Sequence, residues 1–99
     1  MSKPSTQPTV LIVDDEPLVR SWIRTALANL GCQVRGDVAD GTQAILRHAK
    51  LRPDITFLDI NMPGKNGIDT LREILRASPD AFVVMVSADS TLDNVQRAI

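Results

Sequence analysis

The chain has no tyrosine and only one tryptophan, one cysteine and one histidine. So few aromatic rings give little scope for recognising bases by stacking. A single cysteine, Cys32, cannot close an internal disulfide, which fits a reducing, cytoplasmic setting. Neither sign of charge dominates: 11 Lys and Arg stand against 12 Asp and Glu. The basic residues are scattered, so no nucleic-acid partner is expected. The longest apolar stretch is Ala81–Val86, far short of the about 18 residues that a membrane span takes, so no membrane partner is expected either. Residues 1–8 hold two prolines and no apolar core. They read as a flexible lead-in without an export signal. The remaining residues, 9–99, leave room for one domain and no second core.

What is present is an alternation of short apolar runs with amphipathic stretches. A strand is expected over Thr9–Asp14, then a helix after Asp15-Glu16-Pro17, with Pro17 suited to its first turn. That helix carries Leu18, Val19, Trp22, Ile23, Ala26, Leu27 and Leu30 as an inner stripe and stops at Gly31. A weaker, more polar strand, Gln33–Val38, belongs near a sheet edge. Asp40-Gly41-Thr42 opens a second helix reaching about Leu51, and Arg52-Pro53-Asp54 leads into a strand over Ile55–Asp59. After the turn-rich loop 61–67 comes a helix over Ile68–Ala77, with Ile68, Leu71, Ile74 and Leu75 on one face. A fourth strand spans Ala81 to Val86 or Ser87, and a fourth helix starts near Ser90-Thr91. Strands alternating with helices imply right-handed crossovers and a parallel sheet.

Three of these strands end in chemistry. Asp14-Asp15 follows Val10–Val13, Asp59 closes Ile55–Leu58, and Ser87 and Asp89 follow Phe82–Val86. Ligands of open α/β sheets bind at the carboxyl ends of the strands. Carboxylates gathered there repel one another unless a cation joins them. The pattern therefore points to a Mg²⁺-dependent phosphoryl site. Each element has a plainer reading: Asp15 or Glu16 as a helix cap, Asp59 as a turn residue before Pro63, Ser87 as a strand-end cap. The joint occurrence in this order favours the site. Asp89 reads as an exposed cap. His48, among Ala44, Ile45 and Ala49, reads as a packed or boundary residue, and Cys32 as a small half-buried one; Lys65 and Arg72 read as solvated.

The segments VLIVDDE (10–16), Asp40-Gly41 with Ala44, PDITFLDINMPGKNG (53–67) and VMVSAD (84–89) together resemble the receiver domain of two-component response regulators. The resemblance implies a flavodoxin-like, three-layer α/β/α fold with a parallel sheet of order 2-1-3-4, lacking the family's fifth strand and fifth helix. It implies Asp59 as phosphoacceptor, Asp14 and Asp15 as Mg²⁺ ligands with the Asn61 backbone carbonyl, the Ser87 hydroxyl and Ala88 N–H on the phosphoryl group, and a tuning role for the position of Asp89. The partner it implies is a histidine kinase or phosphotransfer protein, with an unknown output domain or target; the chain catalyses only its own phosphorylation and dephosphorylation.

The family's strand-five lysine has no counterpart before Ile99. A form ending there is expected to phosphorylate poorly, to expose part of Leu18, Trp22, Ile23 and Leu27, and to self-associate through strand four or by exchange of elements. Two alternatives stay open. One is a haloacid-dehalogenase-like phosphatase, which needs an acid where Asn61 stands; the other is a phosphorylation-silent interaction module.

Overall fold

The computed structural model describes residues 7–62 and 66–86. Ser87, Ala88, Asp89, Lys65, the fourth helix and residues 1–6 of the lead-in lie outside the described residues. The elements run β1 (Thr9–Val13), α1 (Pro17–Asn29), β2 (Gln33–Val38), α2 (Gly41–Leu51), β3 (Ile55–Asp59), α3 (Gly67–Ala77) and β4 (Val83–Val86). Among the described residues the strands form one parallel sheet in the order β2-β1-β3-β4, the flavodoxin-like order expected.

The sheet is built around β1. Val10, Leu11, Ile12 and Val13 have no exposed surface, since this strand is flanked on both edges and covered on both faces. Full burial of such a side chain contributes about 1.5–3 kcal/mol. Alternate residues serve opposite layers. Val10 and Ile12 pack with Leu27 and Ile23 of α1, while Leu11 and Val13 pack with Ala44 and Leu51 of α2 and Leu71 of α3. Helix α1 therefore covers one face and α2 with α3 the other. One irregularity interrupts the β1–β2 pairing: Val10 pairs with Val34, but Leu11 pairs with Gly36, so Arg35 is an extra residue.

Local side chains and a glycine set the element ends. Asp40 caps α2 by accepting from Gln43 N at 2.8 Å, and Asn66 caps α3 by accepting from Asp69 N at 2.9 Å. Gly31 follows α1 with φ +86°, a backbone region that glycine enters without a Cβ penalty. At the amino-terminal end of the sheet, the Asp54 carboxylate accepts from Thr9 N at 2.8 Å, while Asp54 N donates back to Thr9 Oγ1 at 3.0 Å.

Three details depart from the sequence reading. The inner stripe of α1 is narrower than seven residues. Leu18 and Trp22, two of the four residues expected to be partly exposed, are 81 and 75 % exposed, and Leu30 is 78 % exposed, whereas Leu27 is buried and Val19 and Ile23 are half-buried, one helical turn apart. With 3.6 residues per turn, only the 19-23-27 line reaches the sheet, and Leu18 and Trp22 sit one step round the helix. In α3 the inward line is Gly67, Thr70 and Ile74, leaving Ile68 and Leu75 exposed, because the small residues let the helix approach β3 closely. Strand β4 begins at Val83, where its pairing with Thr56 starts, and Phe82 before it is exposed.

Candidate functional site

The carboxyl ends of β1 and β3 lie side by side, because Val13 pairs with Leu58. The next residue on each strand is an aspartate, and both are buried: Asp14 completely and Asp59 at 2 % exposure. Asp15, half-buried, follows Asp14 in the β1–α1 loop. One carboxylate oxygen from each of Asp14, Asp15 and Asp59 lies within 4.8 Å of the others. Residues 44 or 45 positions apart are thus brought together by a single strand ladder.

Local hydrogen bonds aim these groups. Asp14 N donates to Val38 O at 3.0 Å, continuing the β1–β2 pairing one residue past the strand. The Asp14 side chain accepts through Oδ1 from Glu16 N at 2.8 Å. This occupies the amino-terminal end of α1, where Glu16 holds the cap position without a side-chain bond of its own. Capping by Asp15 or Glu16 is therefore not what fixes this turn. Asp59 Oδ1 accepts from Asn61 N at 3.1 Å, and Ile60 N donates to Val86 O at 2.9 Å, tying the β3 end to β4. Gly67 sits directly behind Asp59. Its N–H donates to Ile60 O at 3.0 Å, and a Cβ there would overlap the Asp59 carbonyl oxygen and come within 2.7 Å of Ile60 Cα. Only glycine lets α3 start this close to the acidic residue.

The electrostatics follow from the geometry. Burial pushes the Asp59 carboxyl up to about 6; the Asn61 N–H opposes this, and the charge of Asp14 together with the adjacent Asp15 carboxyl adds to it. Among the described residues Asp14 Oδ2 is buried with no hydrogen-bond partner, a costly arrangement for an acidic oxygen unless something else satisfies it. Three acidic oxygens this close, with Asp15 half-buried and so partly open to solvent, are a donor set that suits a hard divalent cation such as Mg²⁺.

A second charged group stands behind the first. Arg20 of α1 donates through Nη1 to the Asp14 main-chain oxygen at 2.6 Å and through Nε to Asp37 Oδ1 at 3.2 Å. Arg24, one turn on, pairs with the other Asp37 oxygen. The Arg24 hydrogen bond, helped by Arg20, holds the Asp37 carboxyl below the usual carboxylate range despite its partial burial. Sequence reasoning passes over these residues as ordinary scattered charges; the only signal was the four-residue spacing of two arginines, which places them on one helix face. His48 is buried at 5 % exposure on α2, and Cys32 is half-buried against the α1 layer. Both are packing residues away from the acidic cluster, as expected.

The family model for the response regulator receiver domain matches residues 10–99. The chain belongs to this family. It is 38 % identical over 79 residues to chemotaxis protein CheY of Thermotoga maritima, covering 80 % of this chain and 66 % of that protein. It is 40 % identical over 79 residues to response regulator GacA of Pseudomonas aeruginosa, covering 79 % of this chain and 37 % of that one. Among solved structures it is similar to the CheX-CheY-BeF3-Mg²⁺ complex from Borrelia burgdorferi, with TM-score 0.80 and 31 % identity over 89 % of this chain and 67 % of that one. The chain thus spans about two thirds of the chemotaxis relatives and just over a third of GacA. Receiver domains are signalling switches, and membership places this chain among them. Among the described residues, no helix is long and apolar enough to cross a membrane.

Proposed function

We propose that the chain is a phosphoacceptor switch in a histidine-to-aspartate relay, with Asp59 receiving the phosphoryl group from a histidine kinase or phosphotransfer protein. The observation that carries this reading is the meeting of the Asp14, Asp15 and Asp59 oxygens within 4.8 Å at the end of the sheet. Asp14, Asp15, Asp59 and the Asn61 backbone carbonyl are the residues that would hold Mg²⁺. Bound there, the ion supplies charge neutralisation for the acceptor and the incoming phosphoryl group.

The chain's own part is positioning. An Asp59 carboxylate oxygen attacks phosphorus, the bond from phosphorus to the donor imidazole nitrogen breaks, and that nitrogen keeps the electron pair. With its carboxyl at about 6, Asp59 is largely ionised at neutral pH and able to attack. The Asn61 N–H bound to one Asp59 oxygen fixes the orientation of the carboxylate. Ser87 and Ala88, outside the described residues, are assigned by resemblance to contacts with the transferred group. The chain turns over no separate substrate and acts in the cytoplasm. Among the described residues β4 is an outer strand and Phe82 beside it is exposed; self-association through this strand belongs to the same proposal, and a monodisperse 10.8 kDa species in light scattering would refute it.

The test of the switch is labelling with acetyl phosphate in Mg²⁺. Incorporation into the native chain and none into Asp59→Asn is expected. Equal labelling of the two would overturn the assignment of Asp59.

A further inference from the structure

Arg20 is more than a surface ion-pair partner. Its side chain is 19 % exposed and its guanidinium faces two acceptors at once, a side-chain carboxylate on β2 and a main-chain carbonyl at the end of β1. We propose that Arg20 is a positioning residue for the acidic cluster: oriented by Asp37, it holds the Asp14 carbonyl and so sets where the Asp14 and Asp15 carboxylates stand. The inference rests on the reading of that cluster as a divalent-cation site.

The geometry gives the reason. The Asp14 N–H is fixed by Val38 O, and its C=O is fixed by Arg20 Nη1. The two peptide planes that meet at the Asp14 Cα are thereby held, the Val13–Asp14 plane by Val38 and the Asp14–Asp15 plane by Arg20, and Asp15 hangs from the second. Releasing the carbonyl frees the plane to rotate, which moves the Asp15 carboxylate relative to the Asp14 and Asp59 oxygens. Asp37 keeps the guanidinium from swinging away, and Arg24 keeps Asp37 in place from the next turn of α1. A planar fork can serve both acceptors; the single ammonium of lysine cannot hold the same pair of directions.

Charge alone argues the other way, which makes the idea testable. Arg20 is a cation close to a site for a cation, so removing it would tighten metal binding if electrostatics were its only effect. Loss of positioning weakens binding instead. The experiment titrates Mg²⁺ into the native chain, Arg20→Met, Arg20→Lys and Asp37→Asn by amide NMR, at a temperature where each is folded. Methionine keeps the packing of the arginine stem. Arg20→Met should bind Mg²⁺ about tenfold more weakly, in the range typical when an outer partner of a metal ligand is lost. Arg20→Lys, with its charge unchanged, should also bind several-fold more weakly, and Asp37→Asn should bind less tightly than the native chain. The Asp15 and Glu16 amide resonances should shift in all three before any metal is added.

Native or tighter Mg²⁺ affinity in Arg20→Met would overturn the inference while leaving the cation site standing. Should Arg20→Met not fold, Arg20→Lys decides on the same criterion. Absence of saturable Mg²⁺ binding by the native chain would remove the cation site itself, and this inference with it. A merely structural arginine would lower the melting temperature and leave the Mg²⁺ affinity of the folded variants as it was.

Discussion

Replacing Asp59 by asparagine should make the metal-free protein more stable, although it removes the residue on which the proposed chemistry depends. Asp59 is buried beside two other carboxylates, and its carboxyl sits at about 6 where an unhindered aspartate has 3.8. The unfolded chain therefore loses this proton more readily than the folded one. The sign is that of a raised pKa: the folded state is unpenalised below pH 3.8, loses stability as pH rises towards about 6, and carries the full cost above that. At 1.36 kcal/mol for each pH unit between 3.8 and about 6, the cost is about 3 kcal/mol, and screening at the solvent-facing rim lowers it to about 1–3 kcal/mol. Asparagine keeps the shape and can accept from Asn61 N, but carries no charge.

The assay is urea unfolding of the native chain and Asp59→Asn in a chelator, from acid to mildly alkaline pH, repeated with Mg²⁺. The variant should gain about 1–3 kcal/mol at neutral pH, and the gain should shrink to nothing at the acid end. Added Mg²⁺ should stabilise the native chain and close the gap. A variant less stable than the native chain at neutral pH, or a gain that does not change with pH, would refute the reasoning, since burial among like charges would then not be what sets the Asp59 carboxyl.

Three further outcomes are expected. Gly67→Ala should cost about 1–3 kcal/mol by urea unfolding and shift the Asp59 and Asn61 amide resonances, because the atoms a Cβ would strike are backbone and cannot rotate away. His48 is held below its ordinary 6.5 by burial, with the nearby Arg52 charge adding to this, so its stabilising neutral state is lost as pH falls below 6.5; His48→Leu should show a smaller loss of melting temperature between pH 7 and 5 than the native chain. Asp54→Ala removes the acceptor for Thr9 N and Oγ1 and should cost about 1–2 kcal/mol, with faster hydrogen exchange confined to the start of β1.

Much of this was legible in the residues. The run Val10–Val13 announces a strand buried on both faces, Asp40 announces a helix start, and the acidic residues announce themselves by following apolar runs. Their convergence was legible too, because parallel strands put all their carboxyl ends at one rim. The facing of α1 was not. Seven apolar positions are more than one contact line can use, and nothing in the sequence says that 19-23-27 is the line taken. The role of Gly67 was hidden for a different reason: in a loop already rich in turn formers, a glycine needed for close approach looks like one more turn residue. Arg20 and Asp37 were hidden because 17 positions and a change of element separate them, and only the fold makes them neighbours.

The odd residue out in β2 settles which arginines can find an acid. Neighbours across a parallel pair point to the same side, and Asp37 stands beside Ile12, which faces α1. Were Arg35 paired with Leu11 and not set aside as an extra residue, Asp37 would fall opposite Val13 and look towards α2 and α3, with the whole helix-one guanidinium pair left facing solvent. A half-step in one edge strand, far in the chain from any acidic residue of the cluster, thus decides whether the loop that carries two of its three oxygens is tethered or loose.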